Sequence, residues 1–444
     1  MQAWRIAATI LFVGYLSFSR SFAYLGLPEF GVFIGEISLA IFILLRPQIV
    51  LGTLLSTINT ISIFTPCLVI LFVFLVYGTM QVWYGIVEYQ SVTTVFKFFI
   101  FNYYALFLFL GMWIGIQVPS ASASLVRCVA WVNGIYGLVY LIALKDVSAV
   151  IPGSGGVPFV GLPLGSMVAI LGLLCVERDL RAAWLPLALN LLVLLAMQQR
   201  SEWLGLAVGA LVWSALLQRL GRICAFGLAG LALLGLVQLA DVQIGGRMTR
   251  SDLHGVSLDE VVARAVAPIS VDLARQFSPR ADIHAGTAEW REKWWTEIWA
   301  SVHASWSTTL FGLGYGFDLM SVAPEDVRSG QEDVRTPHST FFFALGYTGW
   351  IGVILFYSFQ LSLVALLWRS FRITGSVIGL VLWSGWMAWS SFDSFFDTPM
   401  RAIPFYLLIG MEIVRAHVAD QRHRPTSAVP TGRHREEAGS LARV

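Results

Sequence analysis

Arg335-Thr336-Pro337-His338-Ser339-Thr340 marks the point where a long polar segment, 241–337, gives way to the apolar run 341–368. Most of the chain outside that segment is apolar. Chemistry on a polar substrate therefore has to come from the segment itself and from the helix ends beside it.

The 444 residues are 57% apolar and only 13% charged, and apolar runs recur along nearly the whole length. A bilayer asks for about 20 apolar residues per helical crossing. The ~10-residue alternating pattern of a membrane barrel is absent. The composition thus predicts an all-α polytopic membrane protein with about twelve transmembrane helices, at roughly 4–19, 30–45, 62–83, 95–117, 124–144, 159–176, 182–198, 203–218, 222–240, 341–368, 373–391 and 400–416. The weak run 49–61 is either an extra half-span or the start of the third. No cleavage pattern follows the first run, which reads as an uncleaved span. Cys67, Cys128, Cys175 and Cys224 lie singly in apolar runs and behave as small buried hydrophobes.

Basic residues set the orientation. Alternating sides put Arg5, Arg46, Arg127, Arg178, Arg181, Arg219, Arg222, Arg369, Arg372 and the tail on one face. Arg20, Lys97, Lys145, Arg200 and Arg401 fall on the other, with the long segment. The first set is denser in short connections, so it is expected inside and the segment outside. The expected units are an N-terminal bundle (1–240), an outer loop domain containing helices (241–337), C-terminal spans (338–416) and a disordered inner tail (417–444).

Within the outer segment, Trp290, Trp294, Trp295, Ile298, Trp299 and Val302 recur at three- and four-residue steps. That spacing predicts a helix over 287–305, suited to the headgroup layer and carrying Arg291. Leu310-Phe311-Gly312-Leu313-Gly314-Tyr315-Gly316 reads as a turn, and 324–333 as a flexible acidic stretch. The segment holds nine Lys/Arg against fourteen Asp/Glu, which argues against nucleic acid as a partner.

Three groups stand out by position. Arg200 lies at an outer helix junction, Arg291 in the tryptophan-rich helix, and His338 where the chain re-enters the bilayer. Arginine grips phosphate with paired donors. Histidine exchanges a proton near neutral pH. Together they suggest a phosphate leaving group and a hydroxyl nucleophile. Taken singly, each has a plainer reading: an arginine at a span end anchors the helix, and a histidine after proline caps one. Glu36 and Lys97, in or near spans, read as paired structural groups. Asp393, Asp397 and Arg401 line the last outer turn.

The order of motifs is more specific than any one of them. Gln199-Arg200-Ser201 at an outer junction precedes an Arg/Trp helix, then Leu310 to Gly316, then Pro337-His338-Ser339-Thr340-Phe341-Phe342-Phe343-Ala344-Leu345-Gly346-Tyr347-Thr348-Gly349-Trp350. This resembles the O-antigen ligase and polymerase superfamily of bacterial envelopes. The family's usual Pro-His-Asn reads Pro-His-Ser here, and its usual acidic residue before the glycine pair gives way to Gly346-Tyr347. The resemblance implies a metal-independent, cofactor-free glycosyltransferase of the GT-C type in the bacterial inner membrane, its site facing the periplasm or cell exterior. It implies an inverting transfer of glycan from undecaprenyl diphosphate to a glycan or lipid A-core acceptor. By carry-over, Arg200 and Arg291 bind the diphosphate and His338 acts on the acceptor hydroxyl. Lys97 and Asp393 are possible further site residues on the same face. Ligase, polymerase and protein O-glycosyltransferase stay open. So does a different class, a transporter or channel for an anionic solute using the same arginines, and so does an envelope scaffold.

Overall fold

The computed structural model describes residues 2–27, 32–50, 64–152, 154, 156–219, 221, 227, 258–267, 270–279, 281–330 and 336–423. Among them the chain is an all-α membrane protein. Among the described residues the one pairing between strands is short, Gly26–Leu27 against Val32–Phe33.

In order, the helices of the first half are α1 (Gln2–Ala23), α2 (Ile34–Leu45), α3 (Thr65–Tyr89), α4 (Val92–Tyr103), α5 (Phe107–Gln117), α6 (Ala121–Val139), α7 (Ser166–Val176), α8 (Trp184–Met197) and α9 (Arg200–Leu217). The polar segment contributes α10 (Leu258–Val266), α11 (Val271–Arg275), α12 (Ala281–Val302), α13 (Trp306–Phe311) and α14 (Glu325–Gly330). The chain closes with α15 (Thr340–Thr374), α16 (Ile378–Ser390), α17 (Pro399–Ile413) and α18 (Arg415–His423).

Among the described residues, six helical stretches are long and apolar enough to cross a membrane: Gln2–Ala23, Thr65–Tyr89, Val92–Gln117, Ala121–Leu144, Thr340–Thr374 and Pro399–Ala419. These six coincide with expected spans and run somewhat longer than them. Five of the other expected spans hold the shorter helices α2, α7, α8, α9 and α16, and 222–240 lies outside the described residues except for position 227. The run 159–176 shows why a span can be shorter than its apolar run. Chain 157–165 stays non-helical because its backbone is committed elsewhere, with Leu164 N–H donating to Leu16 O at 3.1 Å and Pro158 O accepting from Ser21 Oγ at 2.7 Å. The partner carbonyl is available because α1 is broken at Ser19, whose φ is 47°.

Two departures from regular helix position the functional site. The first is a close crossing of α9 and α16. A Cβ on Gly205 would meet Gly385 O at 2.7 Å, and one on Gly385 would meet Gly205 O at 2.9 Å. Such small-residue contacts let helix backbones approach. They bring the start of α9 beside the end of α16.

The second is a break in α15 at Gly349, with φ 60° and ψ −167°. The break frees carbonyls that a continuous helix would use. The glycine turn fills them: Leu313 N–H donates to Gly346 O at 2.8 Å and Gly314 N–H to Tyr347 O at 3.1 Å. Tyr77 Oη donates to Thr348 O at 2.7 Å, and Gln81 Nε2 to Phe311 O at 2.9 Å. Gly312 and Gly349 adopt positive φ, and a Cβ on Gly349 would lie 2.5 Å from Leu310 O. The turn therefore locks the polar segment onto the break.

The tryptophan helix α12 starts at Ala281, earlier than expected, and its aromatic face turns largely inward. Trp294, Ile298 and Val302 are fully buried in protein. Trp295 Nε1 donates to Pro337 O at 2.6 Å, and its ring stacks on Phe342. Only Trp299, 43% exposed, retains much of the expected outward character. Within the expected flexible acidic stretch 324–333, residues Glu325–Gly330 form α14, where Val327 is buried and Asp326 meets Lys293 at 3.0 Å; positions 331–333 lie outside the described residues.

Candidate functional site

His338 stands one residue before the N-cap Ser339 of α15, in a left-handed conformation with φ 50°. An L-residue with this φ is strained unless its surroundings hold it. Here Pro337 is pinned by Trp295, and the imidazole edge packs on Trp290 at a centroid distance of 5.8 Å. The histidine is not a helix cap. Its Nδ1 faces Asp393 Oδ1 at 3.2 Å. A carboxylate at Nδ1 favours the tautomer with its proton there, leaving Nε2 as the proton acceptor. The side chain is 28% exposed, so the ring remains reachable.

Asp393 is the hub. Its Oδ2 accepts from Gln199 Nε2 at 2.5 Å, Ser201 Oγ at 3.2 Å and Trp389 Nε1 at 3.1 Å, and pairs with Arg401 at 2.9 Å. Its Oδ1 also takes the Ser394 N–H at 2.9 Å. Burial alone would raise its pKa, but Arg401 and His338 outweigh it and hold the carboxyl well below its usual range. Arg401 is fixed in turn by the Trp389 ring, 4.7 Å from its guanidinium carbon, and by the Ser394 carbonyl. Nearby Asp397 goes the other way: burial pushes it up to about 6.

Two arginines expected at the site converge on this hub. Arg291 Nη1 donates to Phe392 O at 3.1 Å, one residue before Asp393. Its guanidinium lies over Trp290, which also packs against His338. Arg200 opens α9, ahead of the apolar part of that helix, and follows Gln199 directly. Burial pulls its pKa down to about 10, helped by the like charges of Arg291 and Arg264. Burial also lowers Arg291, against an opposing pull from Asp393.

Arg200, Arg291, His338 and Asp393 thus come together from four separate parts of the chain. Lys97 is exposed on α4, and none of the hydrogen bonds around His338 and Asp393 includes it. Glu36 is a structural acceptor, taking the Tyr103 and Tyr104 hydroxyls at 3.0 and 2.5 Å.

Sequence reasoning did not single out Gln199 or Arg264, and it took Arg401 only as lining the outer turn. Gln199 sat within a quoted motif, so its role as the ligand of Asp393 had a signal nearby. Arg264 had none, because α10 has no feature in sequence that ties it to a helix junction sixty-odd positions earlier.

A family model described as O-antigen ligase matches residues 185–357. That match takes in the α8–α9 junction, the polar segment, the glycine turn and His338, while Asp393 and Arg401 lie beyond it. No curated protein matches the chain.

Proposed function

We propose that this membrane enzyme, a member of the O-antigen ligase and polymerase family, transfers glycan from undecaprenyl diphosphate to an acceptor hydroxyl. One observation carries the reading: a histidine oriented by a buried carboxylate stands beside two arginines gathered from different elements.

In this reading the acceptor hydroxyl meets Nε2 of His338 and gives up its proton as the acceptor oxygen attacks the anomeric carbon. The bond from that carbon to the diphosphate oxygen breaks, and the electron pair leaves with the diphosphate. Attack opposite the leaving group inverts the centre. Arg200 and Arg291 hold the departing charge. Fixed donors in a site of low dielectric stabilise developing charge without reorganising at the moment of reaction. They supply the neutralisation that a cation gives elsewhere, so the mechanism is metal-independent. Asp393 orients the imidazole and stabilises it once protonated, the role a buried carboxylate plays beside a catalytic histidine.

In this reading the protein is a GT-C glycosyltransferase of the bacterial inner membrane, with the site facing the periplasm or exterior. The acceptor is lipid A-core for a ligase, or a second carrier-linked glycan for a polymerase. No observation favours the transporter reading over this one.

A deletion strain complemented with wild type or His338→Ala tests the proposal by its glycan profile. Loss of transfer, with normal insertion of the variant, is expected. The lost step should be worth about 10²–10⁴-fold in rate, the usual range for a general base. Wild-type glycan from the variant removes His338 from the chemistry. An unmodified acceptor with accumulating carrier-linked polymer identifies a ligase, and acceptors capped with single repeats identify a polymerase.

A further inference from the structure

We infer that α13 and the end of α12 form a membrane-docking element, seated where hydrocarbon meets headgroups in the leaflet on the side of the polar segment. The occupant of its exposed apolar face is lipid. The inference does not depend on the donor or on the chemistry proposed above.

The sequence here departs from the rest of the polar segment. Positions 298–317 contain no Asp, Glu, Lys or Arg, although the chain on both sides is rich in them. Surfaces that face water carry interspersed charge, and this one does not.

The tether to α3 sets the depth. Gln81 Nε2 donates to Phe311 O at 2.9 Å. Gln81 lies about two turns, or about 12 Å, short of the α3 end at Tyr89. The 25 residues of α3 rise about 37 Å, against about 30 Å of hydrocarbon in a bilayer. Centred in the membrane, α3 carries Gln81, and with it the end of α13, inside the hydrocarbon boundary. The chain then rises along α3, and Leu313 O accepts from Tyr89 Oη at 2.5 Å.

The exposed faces agree with that depth. On α13, Trp306 is 83% exposed, and Leu310 and Phe311 are exposed with it. Next to Gln81, α3 exposes Met80 and Trp83, and α15 exposes Ile354 just past its break. Those two faces belong to membrane spans and meet lipid, and the face of α13 continues them. Trp299, exposed near the end of α12, stands at the same corner with its ring 6.1 Å from Trp350. Indole rings, apolar with one polar edge, settle at headgroup level.

The polar groups of α13 are matched within the protein. Ser305 Oγ accepts the Thr308 N–H at 3.1 Å, Thr308 Oγ1 accepts the Ser305 N–H at 3.2 Å, and Thr309 Oγ1 donates to Ser305 O at 2.7 Å. Backbone close to hydrocarbon requires such internal pairing. His303 fastens the entry to α13. Trp350 Nε1 donates to its Nε2 at 3.2 Å, and its Nδ1 donates to Trp299 O at 2.8 Å. A segment held by α15 at its break and by lipid keeps His338, ahead of α15, at a set height over the membrane.

The test uses the full-length protein, cysteine-free, in nanodiscs of phosphatidylethanolamine and phosphatidylglycerol. A nitroxide is attached at Trp306→Cys or Leu310→Cys. Asp272→Cys, at a side chain 90% exposed in the polar segment, is the reference for water. Leu361→Cys, on the exposed face of α15, is the reference for hydrocarbon. Collision rates with oxygen and with a nickel chelate report depth. Labels at 306 and 310 should lie about 5–10 Å below the phosphates, the depth of an interfacial helix face. They should favour oxygen over the chelate, as Leu361→Cys does. Chelate access equal to that of Asp272→Cys at either position overturns the inference. Shielding from both reagents also overturns it, by marking a face covered by protein. Should the cysteine-free protein fail to fold, the protein with its own cysteines and a photoreactive benzoylphenylalanine in place of Trp306 answers the same question. Irradiation in nanodiscs should give a lipid adduct by intact mass, and a crosslinked dimer or the absence of a lipid adduct overturns the inference. None of these readouts involves a donor, an acceptor or His338, so the docking and the transfer reading fail separately.

Discussion

At the scale of single residues, Asp393 carries several demands at once. It orients His338, neutralises Arg401 and joins α9 to the last outer turn through Gln199. Asp393→Asn leaves Arg401 buried without its counter-charge, which costs about 3–5 kcal/mol when a buried pair is broken from one side. We expect a lowered melting temperature together with a transfer rate reduced by at least about 10²-fold. Full activity in a destabilised variant would limit Asp393 to a structural role. Its neighbour Asp397 makes the opposite prediction. Its folded pKa of about 6 lies above the ordinary 3.8, so the folded state binds the proton more tightly than the unfolded one. Stability therefore falls as pH rises from 3.8 to about 6. The loss is on the order of 3 kcal/mol at most. Asp397→Asn should remove that slope, gaining melting temperature over wild type at pH 7 but not at pH 4. Asp393, whose pKa is depressed, contributes stability above the ordinary carboxylate range that is lost only in stronger acid.

At the scale of elements, the glycine turn and the break in α15 form one unit. Gly349→Ala places a Cβ against Leu310 and forces an L-residue into positive φ. Gly312→Ala meets Gly349 N at 2.5 Å. Each should destabilise by about 1–3 kcal/mol, the cost of such backbone strain, and should release α12 from α15. Thermal unfolding checks the first effect, and protease cleavage within 281–330 checks the second. A straight α15 in the variant with unchanged protease resistance would refute the coupling. The sequence made the turn legible through its alternating glycines, because positive φ has few other sources. The break at Gly349 was not legible, because the surrounding residues read as one continuous apolar run. Its cause lies in partner groups from the turn, and periodicity within a single segment carries no trace of them.

At the scale of the whole molecule, hydropathy located the helices well and their lengths poorly. The first four long spans and the two at the C-terminal end follow the apolar runs closely. Runs such as 159–176 carry chain that is apolar yet not helical, so composition overstates the helix. The site was partly legible for a similar reason: Arg200, Arg291 and His338 have a motif order behind them, but the contact between Gln199 and Asp393 is a tertiary fact. The side on which the site opens can be measured. In a cysteine-free background, Asp272→Cys in the polar segment should react with an impermeant thiol reagent in intact spheroplasts. Arg372→Cys, in the last turn of α15, should react only after the membrane is opened. The reverse pattern would invert the topology, and both residues labelling from one side would overturn it.

The break in α15 also dictates an order of biogenesis. The turn that satisfies Gly346 and Tyr347 is translated before them. Bare carbonyls in hydrocarbon are costly, so this span cannot settle alone as a bent helix in the lipid. We expect it to enter straight and to bend on meeting the polar segment that precedes it in the chain. A nascent chain carrying a disrupted turn should therefore stall at this late stitch, with its early spans inserted and its last three accessible to quality-control proteases.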